Sequence, residues 1–167
     1  MGQSRSYEIK EYRNKILSQI CASEKLVNLL GVMDKDEDAE ELDFEKIIPY
    51  KYVFPHEYIP DTIIKTDRFI NFEISATIDN RNNVFKDLVI YMFVVGHEDV
   101  VKDKKYGGLW YDTATCELDN IFCENNILGV GETVLVSNKP YCPQQKFKGR
   151  LLTFVVKDFN NGLKNGK

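Results

Sequence analysis

No apolar run in this chain approaches the roughly twenty residues that cross a bilayer as a helix. The N-terminus, MGQSRSYEIKEYRNK, is polar and mixed in charge, so it does not read as a secretory signal. Positive charge is not in excess: 22 Lys and Arg face 26 Asp and Glu, a net charge of −4. That balance argues against tight, nonspecific phosphate binding, which needs clustered Lys and Arg. The four cysteines, Cys21, Cys116, Cys123 and Cys142, include no CxxC pair. Cys116 and Cys123 fall about two helical turns apart, too far for a disulfide, so reduced structural thiols are expected. Neither GxxxxGK[ST] nor GxGxxG occurs, which leaves Gly107-Gly108 as a turn that starts a helix. The two histidines, His56 and His97, have no Ser or Cys nucleophile elbow beside them.

What is present reads as one folded domain over 1–167, with an ordered core from 8 to 160 and a frayed polar tail at 161–167. Residues 8–31 predict a helix in two pieces. Tyr12, Ile16, Leu17 and Ile20 form one apolar stripe; Ser23 then offers a fresh N-cap and Gly31 a terminator. Residues 47–68 hold three prolines and few periodic signals, which predicts an extended connection with at most an edge strand near Tyr50–Phe54. Over 68–79 apolar Ile70, Phe72, Ile74, Ala76 and Ile78 alternate with polar residues, the pattern of a half-buried strand. After a turn at 79–83, residues 87–97 form a strand that is apolar on both faces. Trp110, Ala114, Leu118, Ile121 and Phe122 then mark a helix, and strands follow at 132–138 and 150–159. The expected fold is α+β: a mainly antiparallel sheet of four or five strands, with the N-terminal helix and one central helix packed on one face.

Three stretches invite a chemical reading. In DKDEDAEELDFE, Asp34, Asp36, Asp38 and Glu45 occupy positions 1, 3, 5 and 12 of a calcium-loop spacing. Position 6 is Ala39 where the sharp turn requires glycine, and Pro49 interrupts any exiting helix, so 34–46 is an acidic loop and not an EF-hand. In GHED, His97 with Glu98 and Asp99 could serve as a base or metal ligands at a strand end. A polar strand end explains the same residues, and no nucleophile or ligand set completes a site. In CPQQKFKGR, Lys146, Lys148 and Arg150 surround Phe147, a basic-aromatic cluster that solvation also accounts for. No cofactor, no metal and no catalysis are expected.

Two strands apolar on both faces are more than two helices can cover, which points to packing between subunits. The candidate interface residues are Tyr91, Phe93, Val95, Phe147, Arg150, Leu151, Thr153 and Val155.

The phrases SEKLVNLLG, PDTIIKTDRFINFEIS, FKDLVIYMFVVGHEDV, GGLWYDTATCELDNIF and FKGRLLTFVVKDFN, in this order, resemble the tail-terminator (tail-completion or neck) proteins of long-tailed bacteriophages and phage-tail-like particles. The resemblance spans most of residues 8–160. It implies a homo-oligomeric ring, a hexamer, at the head-proximal end of the tail tube in the virion. Such a ring ends tube growth and meets the tube protein and the head connector, while DNA passes through without sequence-specific binding. Asp34, Asp36, Asp38, Glu40 and Glu41, in a loop more acidic than the family implies, would face that channel and repel phosphates. A head-closure or other neck adaptor is the alternative within the same machine. A small cytosolic binding module, or an enzyme using His97, Glu98 and Asp99, is the alternative outside it.

Overall fold

The computed structural model describes residues 7–32, 48–59, 67–78, 84–123 and 126–159. The acidic window 34–46, the turn at 79–83 and the tail at 161–167 therefore lie outside the described residues, and with them Asp34, Asp36, Asp38, Glu40 and Glu41.

Helix α1 runs from Tyr7 to Ala22 and buries Tyr12, Ile16 and Ile20, one turn apart along a single stripe. The chain breaks at Ser23, whose extended backbone lets its hydroxyl accept the Leu26 N–H at 3.3 Å and start α2, Glu24–Leu29. Gly31, at φ 74°, closes α2, a left-handed conformation that costs glycine nothing. Helix α3, Trp110–Phe122, buries Trp110, Ala114, Leu118 and Phe122.

Five strands form one sheet in the order β1-β2-β3-β5-β4. They are β1 (Val53–Phe54), β2 (Arg68–Ile78), β3 (Phe85–His97), β4 (Val134–Tyr141) and β5 (Phe147–Phe159). Only β1 pairs parallel, with β2; every other ladder is antiparallel. From β3 the chain crosses through α3 to the far edge, lays down β4, and returns as β5 between β4 and β3. The expected α+β architecture is observed, with the short edge strand included.

The boundaries differ in ways that pairing explains. β3 begins at Phe85, before the apolar run, and β5 begins at Phe147, because thirteen residues of each are zipped to the other from Phe85↔Phe159 to His97↔Phe147. Phe147 and Lys148 are therefore strand residues and not part of a basic loop. β4 extends through Pro140, which was expected in the connecting loop; an edge strand accommodates a proline because one side of it has no ladder to feed.

Alternation sends Ile70, Phe72, Leu88, Ile90, Met92, Val94, Leu152, Phe154 and Val156 to the face on which the helices pack, and all are buried. Gly96 lies directly under Trp110: a Cβ there would come within 2.6 Å of the indole Nε1. At Gly149 an added Cβ would overlap the Val94 carbonyl, so glycine sets the spacing of β3 and β5 at that point.

Two charged side chains tie the helices to this face. The Arg68 guanidinium donates to the carbonyls of Val100 (2.9 Å), Leu29 (2.9 Å) and Lys102 (2.7 Å) and lies 5.4 Å from the Trp110 ring centre. It thus joins the end of α2, the loop before α3 and the start of β2. At the other end of the sheet the buried Lys86 pairs with Glu8 of α1, while the Tyr12 hydroxyl donates to Asp158 of β5. Burial first, and then the bond to the Asp158 carboxylate, push the Tyr12 hydroxyl well above its ordinary value. Near the N-terminal half of α1, Arg13 bonds Glu73 at 2.7 Å. Burial raises the Glu73 carboxyl, but the Arg13 hydrogen bond, the Glu57 N–H and the Arg13 charge outweigh it and hold the group below its ordinary value.

Candidate assembly surface

The odd-numbered positions of β3 and β5 project from the sheet face turned away from the helices. The register sets Val89 beside Val155, Tyr91 beside Thr153, and Phe93 beside Leu151, so five of the eight residues expected at an interface stand as one block. All of them are half-buried. Val134 of β4 lies across from Val155 and is 54% exposed. Further along, Phe85 and Phe159 stack at 5.3 Å between ring centres and are 36% and 46% exposed. A strip of apolar side chains thus runs the length of the β3–β5 ladder, interrupted by the Asp87↔Lys157 pair.

The strip changes character at its other end. Phe54, Phe69, Val95 and Phe147 form a second buried cluster, with Tyr58, Phe93 and Tyr141 packed against it. Phe54 and Tyr58 stack at 3.8 Å, and Phe69 meets both edge-on. Burial pushes the Tyr141 hydroxyl up, and the Glu57 carboxylate adds to this. Val95 and Phe147 are corrected accordingly: at 1% and 0% exposure their side chains are enclosed by the chain itself and have no surface to present. Arg150 is corrected for a different reason. Its even position points it to the helix-packed face, where Nε donates to Asn138 Oδ1 at 2.8 Å and lies 4.0 Å from Asp112 of α3.

The two sheet edges are unlike. At β1 the chain closes its own edge: Val53 N–H donates to Ile48 O at 3.1 Å, and Tyr50 N–H to Val53 O at 2.8 Å. The outer side of β4 pairs with no described strand, and Val136, at its bulge, is 55% exposed. The open edge and the apolar strip meet at Val134.

Residues 23–156 match one protein family, a match over most of the chain that takes in α2, α3 and almost the whole sheet. The chain belongs to the YomW family. This is a phage-derived family. No curated protein and no solved structure matches the chain. Helix α1 precedes the matched region, whereas every residue of the central half-buried block lies within it.

The other sequence candidates take structural positions. His97 is 4% exposed, its Nδ1 accepts the Asp99 N–H at 3.3 Å, and its ring stands edge-on to Phe147. It caps the short 3-10 turn Glu98–Val100, and the exposed Asp99 carboxylate lies 3.3 Å from the same Nδ1, so this pair belongs to the turn's own capping. Among the described residues no three His, Cys, Asp or Glu side chains are grouped to hold a metal ion, and no helix is long and apolar enough to cross a membrane. Sequence reading missed Lys86 and Arg68. Arg68 sits at an even, inward position of a strand whose alternation was recognised, so a charge in the inward phase was the available signal; Lys86 precedes the apolar run 87–97 and lay outside the strand expected there.

Proposed function

We propose that this chain is a structural, ring-forming component of a phage particle, seated at the head-proximal end of the tail tube. There it ends tube growth and joins the tail to the head connector, working by shape and contact without a catalytic step. The observation that carries this reading is the apolar strip on the face away from the helices, in a member of a phage-derived family. Contiguous apolar surface of this kind is costly in water and marks contact sites on soluble chains. A ring requires a head-to-tail contact in which the strip of one copy meets a different surface of the next. Six copies are the expected number, with the tube protein and the connector as neighbours and DNA passing through. A head-closure adaptor would use the same strip and differ only in the partner it meets.

Light scattering on the purified protein, alone and with tail tubes, tests the proposal. The expected result is a ring, or a monomer that becomes a ring on tube ends. Leu151→Glu combined with Val155→Glu places charge on the strip and should abolish assembly while the melting transition stays cooperative. A stable monomer or dimer that ignores tubes would overturn the terminator reading, and assembly unaffected by the double variant would remove the strip from it.

A further inference from the structure

Between the 3-10 turn and α3 the chain runs K-D-K-K-Y-G-G, and Lys102, Lys104 and Lys105 are all exposed. Among the described residues none of the three has a carboxylate within ion-pair distance. That is unexpected in a chain where 26 acidic side chains outnumber 22 basic ones and counter-ions are plentiful. Three ammonium groups within four residues repel one another, and the fold leaves them unneutralised at one spot.

The loop that carries them is built rather than slack. Asp103, its one acidic residue, is buried; Oδ1 accepts the N–H groups of Lys105 (2.9 Å) and Tyr106 (3.1 Å), which uses the carboxylate to fix the turn. Asp103 N–H donates to Gly108 O at 3.0 Å, and Lys102 bridges to Leu109 across the loop. Gly107 and Gly108, at φ 77° and 73°, make the return that only glycine makes freely. Arg68 clamps the base by donating to Lys102 O at 2.7 Å. At the tip the Tyr106 ring is 43% exposed, with the ammonium groups of Lys105 and Lys25 at 5.4 Å and 5.8 Å from its centre. Attraction to the ring face holds these long side chains outward. Lys25 is shared with Glu117 at 3.1 Å; the other three cations are not shared.

We infer that the loop 102–109 is a contact for the phosphate backbone of double-stranded DNA. A row of lysine point charges on a fixed backbone suits phosphates, which position a protein through charge alone; the neighbouring hollow lined by Lys25 and Ser23 also carries Glu24 and Glu117, whose carboxylates would repel an acidic side chain. An acidic peptide would call for a pocket to select its side chains and for the forked geometry of arginine. The net negative charge of the whole chain does not oppose this, because charges beyond about 10 Å are screened at 0.1 M salt. The contact is weak, sequence-independent and local, and it does not depend on whether the chain forms a ring.

Fluorescence anisotropy of the full chain with a labelled duplex of mixed sequence, titrated with salt from 50 to 200 mM, tests the inference. Three phosphate contacts give a slope of about −2.7 in log K against log salt, or about a 40-fold loss over that range. Lys102→Gln, Lys104→Gln and Lys105→Gln together should weaken binding at 50 mM salt at least about tenfold, whereas the corresponding triple change to Arg should preserve it. All three positions are exposed, so an unchanged melting temperature serves as the control; should the Gln variant not fold, the Arg variant and the slope still decide. No binding at 50 mM, a slope near zero, or equal binding by the Gln variant would overturn the inference. So would capture of polyglutamate in preference to the duplex, which would make this an acidic-peptide site.

Discussion

Replacing Arg68 with alanine should be among the most damaging single changes to this fold at a partly exposed position. The guanidinium makes three charge-assisted hydrogen bonds to carbonyls of two separate segments, Leu29 at the end of α2 and Val100 and Lys102 in the connection before α3, and it lies over Trp110. A hydrogen bond from a charged donor contributes about 1.5–3 kcal/mol when sheltered. Two of the three are part-buried; the third, to Lys102, is exposed and contributes only a fraction of that. With roughly 0.5–1 kcal/mol for the stacked cation, the loss is about 4 kcal/mol. Against a typical total of about 5–15 kcal/mol, that leaves the protein marginal. For a domain of this size each kcal/mol lowers Tm by about 2–4 °C, so Arg68→Ala should melt about 8–16 °C lower. Urea unfolding supplies the free energy independently. Arg68→Lys should recover less than half, because one ammonium cannot span three carbonyls held in different directions. Hydrogen exchange should show the Trp110 amide, which donates to Val101 O, losing protection in the alanine variant. A loss below about 1 kcal/mol, or an Arg68→Lys protein as stable as the parent, would refute the clamp.

Three further outcomes rest on single contacts. Gly149→Ala should cost more than about 3 kcal/mol or prevent folding, since the new methyl overlaps the Val94 backbone and neither central strand can yield; a urea midpoint within error of the parent would contradict this. Gly96→Ala, which meets the rim of the Trp110 ring, should cost less than Gly149→Ala. Tyr12 has its folded value raised, so the stability it contributes is complete below the unfolded value of about 10 and drains away as pH climbs beyond it. Tyr12→Phe should therefore flatten the alkaline limb of a stability–pH curve measured from pH 8 to 11, and an unchanged limb would show that another group controls it.

Much of the fold was legible in local chemistry. Period-two alternation located β2, the 110–122 stripe located α3, and Ser23 with Gly31 divided the N-terminal helices, because these signals act over a few residues and depend on no distant partner. The apolar phase of β3 and β5 also named a block of surface residues that the register does bring together: Tyr91, Phe93, Leu151, Thr153 and Val155. Where the reading failed, the cause was non-local. Val95 and Phe147 looked like surface candidates beside Tyr91 and Phe93, yet the turn at 53–58 folds Phe54 and Tyr58 over that end of the sheet. Arg150 was grouped with its neighbours in sequence, whereas strand parity sends it to the opposite face.

The sequence by itself therefore determined which segments become strands and helices and which strands carry apolar residues on both faces. Only the tertiary structure decided that β5 inserts between β3 and β4, since pairing order depends on how α3 spans the sheet and not on either strand's own pattern. It also decided which half of the second apolar face is buried by the chain's own aromatics and which half stays partly exposed. Burial is a property of what arrives from elsewhere in the chain, and no local periodicity encodes it.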